Sequence, residues 1–175
     1  YKPCYLDFNS IAKGYAVDQF SNLLISNNIN NFIVDVGGEI YAKGKKYNQK
    51  WTVGIDQPIE DNTERRITAK LHLKDKAMAT SGNYRKYRFE NGEKVVHTVN
   101  PKTGKAKPSS LISASIIAEN CASADAYATA FMTMGHKLAL SFAEKIPTIE
   151  YYFIYLEDDE EKIAASDGFQ KLLSD

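Results

Sequence analysis

The sequence carries no surplus of charge of either sign: 22 Lys and Arg stand against 22 Asp and Glu in 175 residues. That balance excludes a general electrostatic pull toward nucleic acid or anionic lipid, so no nucleic-acid partner is expected. No apolar run in residues 1–175 is long enough to span a bilayer, and none reads as a secretory leader, which says nothing about where the parent protein resides. Cysteine is scarce. Cys4 and Cys121 lie far apart, match no metal-ligand spacing, and are too few to specify a redox compartment or a disulfide. Repeats, linkers and low-complexity stretches are lacking, so residues 1–175 read as one domain. The chain opens at Tyr1, without Met and directly on strand-like sequence, which reads as a fragment or a processed product.

What is present is material for a core. Hydrophobic residues make up 43%, with 11 Tyr and 8 Phe suited to strands. Tyr5–Phe8 reads as a short strand. A helix is expected over Ser10–Ser26, with Ser10 as N-cap and Ala12, Tyr15, Ala16, Phe20, Leu23 and Leu24 recurring at helical spacing. Asn27, Asn28, Asn30 and Asn31 end it. Phe32–Val36 reads as a buried strand that turns at Gly37-Gly38 and returns through Ala42. Further strands are expected at 51–55, 67–73, 77–80, 84–89, 95–99 and 113–119, with Asn91-Gly92 as a hairpin turn. A second helix should run from Ser123 to Met134 with Gly135 at its C-cap, and a short third to Lys145. Segments 149–156 and 162–165 form a hairpin across Asp158-Asp159. The expected fold class is α+β, an antiparallel-rich sheet with packed helices.

Three segments could carry chemistry. Asp125 and Thr129 are four residues apart among small neighbours, so a helix puts both on one face. A carboxylate with a hydroxyl is hard-oxygen ligation of the kind Mg²⁺ takes together with substrate phosphates. The plain alternative is an Asp favoured by the helix dipole and a Thr bonded back to a carbonyl. His97 sits at a strand end before the Asn100-Pro101 turn and could accept a proton from a nucleophile; equally, it could be a hydrogen-bonded turn residue. Asp7 to Gly14 joins a strand to a helix start, where phosphate is attracted and Lys13 adds a point charge. It is not a P-loop, since the glycine spacing is wrong. Ala79–Gly82, like Gly37-Gly38, reads as a turn before it reads as a binding loop. His72 and His136 lack comparable context and are expected at the surface.

In order along the chain, DFNSIAKGYAVD, NFIVDVGGEIYAKG, WTVGIDQP, ATSGNYRKY, HTVNPKTG and ASADAYATAF resemble the ApbE family, the FAD:protein FMN transferases. These stretches run from Asp7 to Phe131. The resemblance implies a tunnelling-fold (T-fold)-like α+β architecture, with this chain as the C-terminal part of a bilobed enzyme. It implies Mg²⁺-dependent transfer of FMN from FAD to a Thr or Ser hydroxyl of a partner protein, with release of AMP. The partner would be a flavin-carrying subunit of a redox pump or similar assembly. Some relatives instead hydrolyse FAD to FMN and AMP, and a flavin-binding module without catalysis is a further alternative. The family's metal ligands fall on Asp125, Thr129 and the backbone carbonyl of Ser10. Its FAD-contacting positions fall on Asp7, Lys13 and Val99, and its candidate catalytic His on His97. Members are typically exported and often anchored in the membrane as lipoproteins.

Overall fold

The computed structural model describes residues 6–59, 66–83, 87–90, 93–96, 99–100, 103–104, 106 and 109–174. The elements are α1 (Ala12–Ser26), β1 (Phe32–Val36), β2 (Glu39–Lys43), β3 (Trp51–Asp56), β4 (Ile67–Leu73), β5 (Lys76–Gly82), β6 (Tyr87–Glu90), β7 (Glu93–Val96), β8 (Leu111–Ala118), α2 (Cys121–Met134), α3 (His136–Ala143), β9 (Glu150–Glu157), β10 (Glu160–Ala165), α4 (Asp167–Gln170) and β11 (Leu173–Ser174). Six strands form one sheet in the order β1-β2-β5-β8-β9-β10, every neighbour antiparallel. A smaller sheet, β11-β4-β3, is separate, as is the β6–β7 hairpin.

The large sheet is covered on both faces, which explains why β8 is apolar nearly throughout. Successive side chains of a strand point to opposite faces. Ile116 packs toward the helices with Ala124, Ala128, Phe131 and Met132 of α2. Its neighbour Ile117 packs toward Val53, Ile55, Leu71 and Leu73 of the smaller sheet and Phe169 of α4. The architecture is therefore three-layered, helices over sheet over sheet, in agreement with the α+β expectation. The Gly37-Gly38 turn joins β1 to β2 with φ of 67° and 104°. Asp158 and Asp159, both at positive φ (54° and 62°), close the β9–β10 hairpin. Among the described residues, no helix is long and apolar enough to cross a membrane.

Several expectations need correction. Leu6–Phe8 is not a strand; Asp7 Oδ1 accepts from the Asn9 N–H (2.7 Å) and folds a local turn, while Tyr5 lies outside the described residues. The first helix starts at Ala12, and Ser10 is not its cap; Ile11 occupies that position without a side-chain hydrogen bond. The segment Ala79–Gly82 is strand, because β8 pairs with all four residues, from Ala79↔Ile116 to Gly82↔Ser113. His72 is half-buried on β4, its Nδ1 3.3 Å from Thr52 Oγ1. His136 is buried: its ring stacks on Tyr155 at 4.6 Å, Nδ1 lies 2.7 Å from Ser110 Oγ, and Nε2 lies 3.5 Å from Glu157 Oε1. A Gly-His pair reads locally as a polar helix start, and the corner of β8 and β9 that encloses it comes from distant sequence. Cys121 is a free thiol whose burial pushes it above the usual thiol range, whereas Cys4 lies outside the described residues.

The largest surprise is which face of α1 is inside. Its buried residues are Gly14, Val17 and Ser21, while Tyr15, Phe20 and Leu23 are exposed. α1 lies so close against α2 at Gly14 that no side chain fits there. Asp18 completes this contact. Its Oδ1 accepts from the Cys121 N–H (2.8 Å) and its Oδ2 from the Ala122 N–H (2.9 Å), satisfying two donors left free at the start of α2. Asn120 caps the same end by accepting from the Ser123 N–H (2.8 Å). Loss of one charged cap costs about 1–2 kcal/mol. Asp18→Ala is therefore expected to lower the thermal midpoint by roughly 3–6 °C, and a calorimetric scan that matches wild type would remove Asp18 from this role.

Candidate functional site

The site is built where α1 meets the first turns of α2. Gly14 makes the meeting possible: a Cβ there would lie 2.3 Å from the Cys121 carbonyl oxygen and 2.8 Å from the Ala122 Cα. Both are backbone atoms of the facing helix, so no side-chain rearrangement could make room. At this distance the Gly14 N–H donates to Asp125 Oδ2 (2.9 Å). In a helix begun at Ser10 that N–H would point at the Ser10 carbonyl. Here it goes to the carboxylate, which leaves the Ser10 carbonyl outside the helical ladder. Asp125 is only 2% exposed, and burial pushes its carboxyl above the ordinary range, opposed by the Gly14 hydrogen bond and the Lys13 charge.

Lys13 reaches from α1 to the start of β2. Its Nζ lies 2.6 Å from Glu39 Oε1, an ion pair between a half-exposed ammonium and a buried carboxylate. Burial raises the Glu39 carboxyl first of all; the Lys13 hydrogen bond and charge lower it, and the Asp125 charge raises it further. The two carboxylates and one ammonium therefore sense one another as a cluster. Thr129, one turn beyond Asp125, places its Oγ1 3.3 Å from Ser81 Oγ on β5. The face predicted for Asp125 and Thr129 exists, with Lys13 beside its N-terminal end.

The remaining predicted residues are less tightly drawn in. Asp7 is exposed, its carboxylate engaged by the Asn9 amides at 2.7 and 3.2 Å. Val99 is 53% exposed. Its neighbour Asn100 donates through Nδ2 to the Thr133 carbonyl (3.2 Å), which ties Asn100 to the last turn of α2. The Gly104 N–H donates to the Asn100 carbonyl at 2.8 Å, with Gly104 at φ 66°, while Pro101 and Lys102 of the expected turn lie outside the described residues. His97 lies outside the described residues. Sequence reasoning missed Glu39 and Ser81. Glu39 follows a glycine turn and looks like an exposed hairpin residue; its burial and its partner 26 positions away leave no local signal. Ser81 could have been recognised only by reading residues 79–82 as strand.

No three His, Cys, Asp or Glu side chains converge into a metal-holding group among the described residues. The oxygens expected at the site are of another kind, the Asp125 carboxylate and the Thr129 hydroxyl on one face of α2 and the Ser10 carbonyl ahead of α1, none of them soft. Such a set fits Mg²⁺, which binds through one or two carboxylates and takes further oxygens from water and phosphate.

Residues 2–153 match the ApbE family. The FAD:protein FMN transferase of Haemophilus influenzae is 38% identical over 169 residues, covering 96% of this chain and 48% of that protein. The FAD:protein FMN transferase of Vibrio cholerae is 35% identical, covering 97% and 50%. Among solved structures, the flavin transferase ApbE from Vibrio cholerae superposes with a TM-score of 0.81 at 32% identity, over 97% of this chain and 53% of that one. The ApbE protein of Thermotoga maritima gives a TM-score of 0.81 at 28% identity, over 97% and 54%. The chain thus spans about half the length of the relatives it matches. With the family match over residues 2–153 and the fold in agreement, this chain belongs to the ApbE family.

Proposed function

We propose that this chain is the metal- and phosphate-holding part of a flavin transferase that moves FMN from FAD to a Thr or Ser hydroxyl of a partner protein and releases AMP. The observation that carries the reading is the junction of α1 and α2, where the Gly14 contact brings the buried Asp125 carboxylate to the helix start that carries Lys13. Asp125, Thr129 and the Ser10 carbonyl would hold Mg²⁺, which when bound supplies positive charge to the phosphate oxygens. An ammonium has three N–H donors, and Glu39 occupies one on Lys13, which leaves two for phosphate oxygens. Asp7 and Val99 are the further FAD contacts.

In the transfer, the acceptor hydroxyl oxygen forms a bond to the FMN-side phosphorus. The bridging P–O bond breaks and AMP departs with its electron pair. His97 takes the proton of the attacking hydroxyl. The acceptor is a flavin-carrying subunit of a redox assembly. On family resemblance alone, we also place the full-length protein outside the cytoplasm on a lipid anchor, which cell fractionation tests.

The decisive experiment incubates the full-length protein with FAD and Mg²⁺, with and without an acceptor protein. Covalent flavin on the acceptor and stoichiometric AMP are expected. AMP without acceptor at the same rate would make the protein an FAD pyrophosphatase, and FAD unchanged after hours a binding module. His97→Ala is expected to slow transfer by about 10²–10⁴-fold with FAD affinity retained. Loss of FAD binding in that variant would assign His97 to binding.

A further inference from the structure

From the Lys13–Glu39 pair we infer that Glu39 is a positioning residue, which fixes the Lys13 ammonium at the α1–α2 junction so that its remaining donors face the phosphates. The inference rests on the proposed flavin-transfer reading and adds to it a residue of the Gly37-Gly38-Glu39 turn.

The two partners are unequal. The Lys13 side chain is 51% exposed and hangs on a flexible stem, while the Glu39 side chain is 2% exposed. Glu39 is the first residue of β2, held by pairing of that strand with β1 and β5. The carboxylate is thus the fixed end and the ammonium the end being held. As a stabilising device the pair is poorly made. The second carboxylate oxygen, Oε2, is buried with no hydrogen-bond partner among the described residues. A buried ion with one lone pair set unmet is commonly matched or bettered in stability by an apolar side chain of the same size. Asp125 adds a second negative charge close enough to act on Glu39. Packing alone accounts for none of this, whereas holding a cation beside Asp125 accounts for all of it.

The turn preceding Glu39 contributes. A Cβ on Gly37 would sit 3.7 Å from Lys13 Cδ and 3.8 Å from Glu39 Oε2, so this residue lies against both partners. Gly37 also has φ 67°, where an L side chain would be strained. The turn therefore sets both where β2 begins and how closely the pair is roofed.

The test measures FAD affinity in Mg²⁺, by flavin fluorescence, together with the melting temperature of the full-length protein. Glu39→Gln keeps the side-chain shape and removes the charge. It is expected to raise the Kd for FAD about tenfold, near the lower end of what losing an orienting partner costs. In a Lys13→Met background the same substitution is expected to change Kd less than twofold, because there is no ammonium left to place. An equal fold-change in both backgrounds, or a wild-type Kd in Glu39→Gln, overturns the inference. Should Glu39→Gln not fold, Glu39→Asp withdraws the carboxylate by one methylene and keeps its charge. A wild-type Kd there also overturns the inference, and a raised Kd that Lys13→Met abolishes supports it. A wild-type protein that binds no FAD at all removes the flavin-transfer reading before any variant is made.

Discussion

Asp125→Asn is expected to cut flavin transfer at least about a hundredfold while the ligand-free protein stays as stable as wild type or becomes more stable. The two effects separate because Asp125 serves the fold and the proposed site through different properties. For the fold, it supplies an oxygen to the Gly14 N–H, and the Asn carbonyl oxygen can do the same. For the site, it supplies a charge that burial and the Glu39 carboxylate both oppose. The sign follows from linkage. The folded carboxyls of Asp125 and Glu39 lie above their ordinary values, so the folded protein keeps protons that the unfolded chain has released. Ligand-free stability therefore falls as pH rises from the ordinary carboxylate range up to the folded values, and the lost contribution stays lost above them. A neutral Asn removes the Asp125 share of that loss. Any Mg²⁺-dependent rise in melting temperature should vanish in the same variant, since the proposed charged ligand is gone. The hundredfold figure corresponds to about 3 kcal/mol of transition-state stabilisation. A variant that transfers flavin at the wild-type rate, or that still shows the Mg²⁺-dependent shift, would take Asp125 out of the metal site.

Gly14→Ala should be the most destabilising single methyl in the helical layer. Overpacking typically costs about 1–3 kcal/mol because side chains can give way. Here the obstacles are the Cys121 carbonyl and the Ala122 Cα, so two helix backbones must separate instead. A loss of about 3 kcal/mol or more, and a midpoint lowered by roughly 6–12 °C, is expected. Separation would also lengthen the Gly14–Asp125 hydrogen bond and move Lys13 away from Glu39. Activity should then fall even at temperatures where the protein stays folded. Because the clash is with backbone, no side-chain change on α2 should restore stability. A Gly14→Ala protein with the wild-type midpoint would mean that α1 and α2 can separate without cost.

How much of this was legible beforehand depends on the distance over which each feature is determined. The β1–β2 and β9–β10 hairpins were legible because alternating side chains and turn residues lie within ten or so positions of each other. The span of α2 was legible for the same reason, ending at Gly135 with φ 76°. The buried face of α1 was not. Hydrophobicity pointed to Tyr15, Phe20 and Leu23, but the close fit against α2 selects for the absence of side chains, which carries no hydrophobic signal. Residues 80–82 read as a turn in the sequence because Thr, Ser and Gly are turn formers until a neighbouring strand, here β8, pairs with them. In the site, the four-residue spacing of Asp125 and Thr129 and the charge of Lys13 could be read directly. The buried acceptor for that charge, Glu39, belongs to another element and emerged only from the fold.

The hydrogen bond from Gly14 to Asp125 joins residues 111 positions apart, and the two from Cys121 and Ala122 to Asp18 join residues 103 and 104 apart. Contacts of that span reward the chain only after a long loop has closed, so they belong to the slow, late part of folding. The strands β1, β2, β5 and β8 lie between the joined residues in sequence and form the surface on which α1 and α2 meet. The proposed phosphate-holding junction thus depends on contacts that span more than a hundred residues, whereas the hairpins depend only on neighbours in sequence.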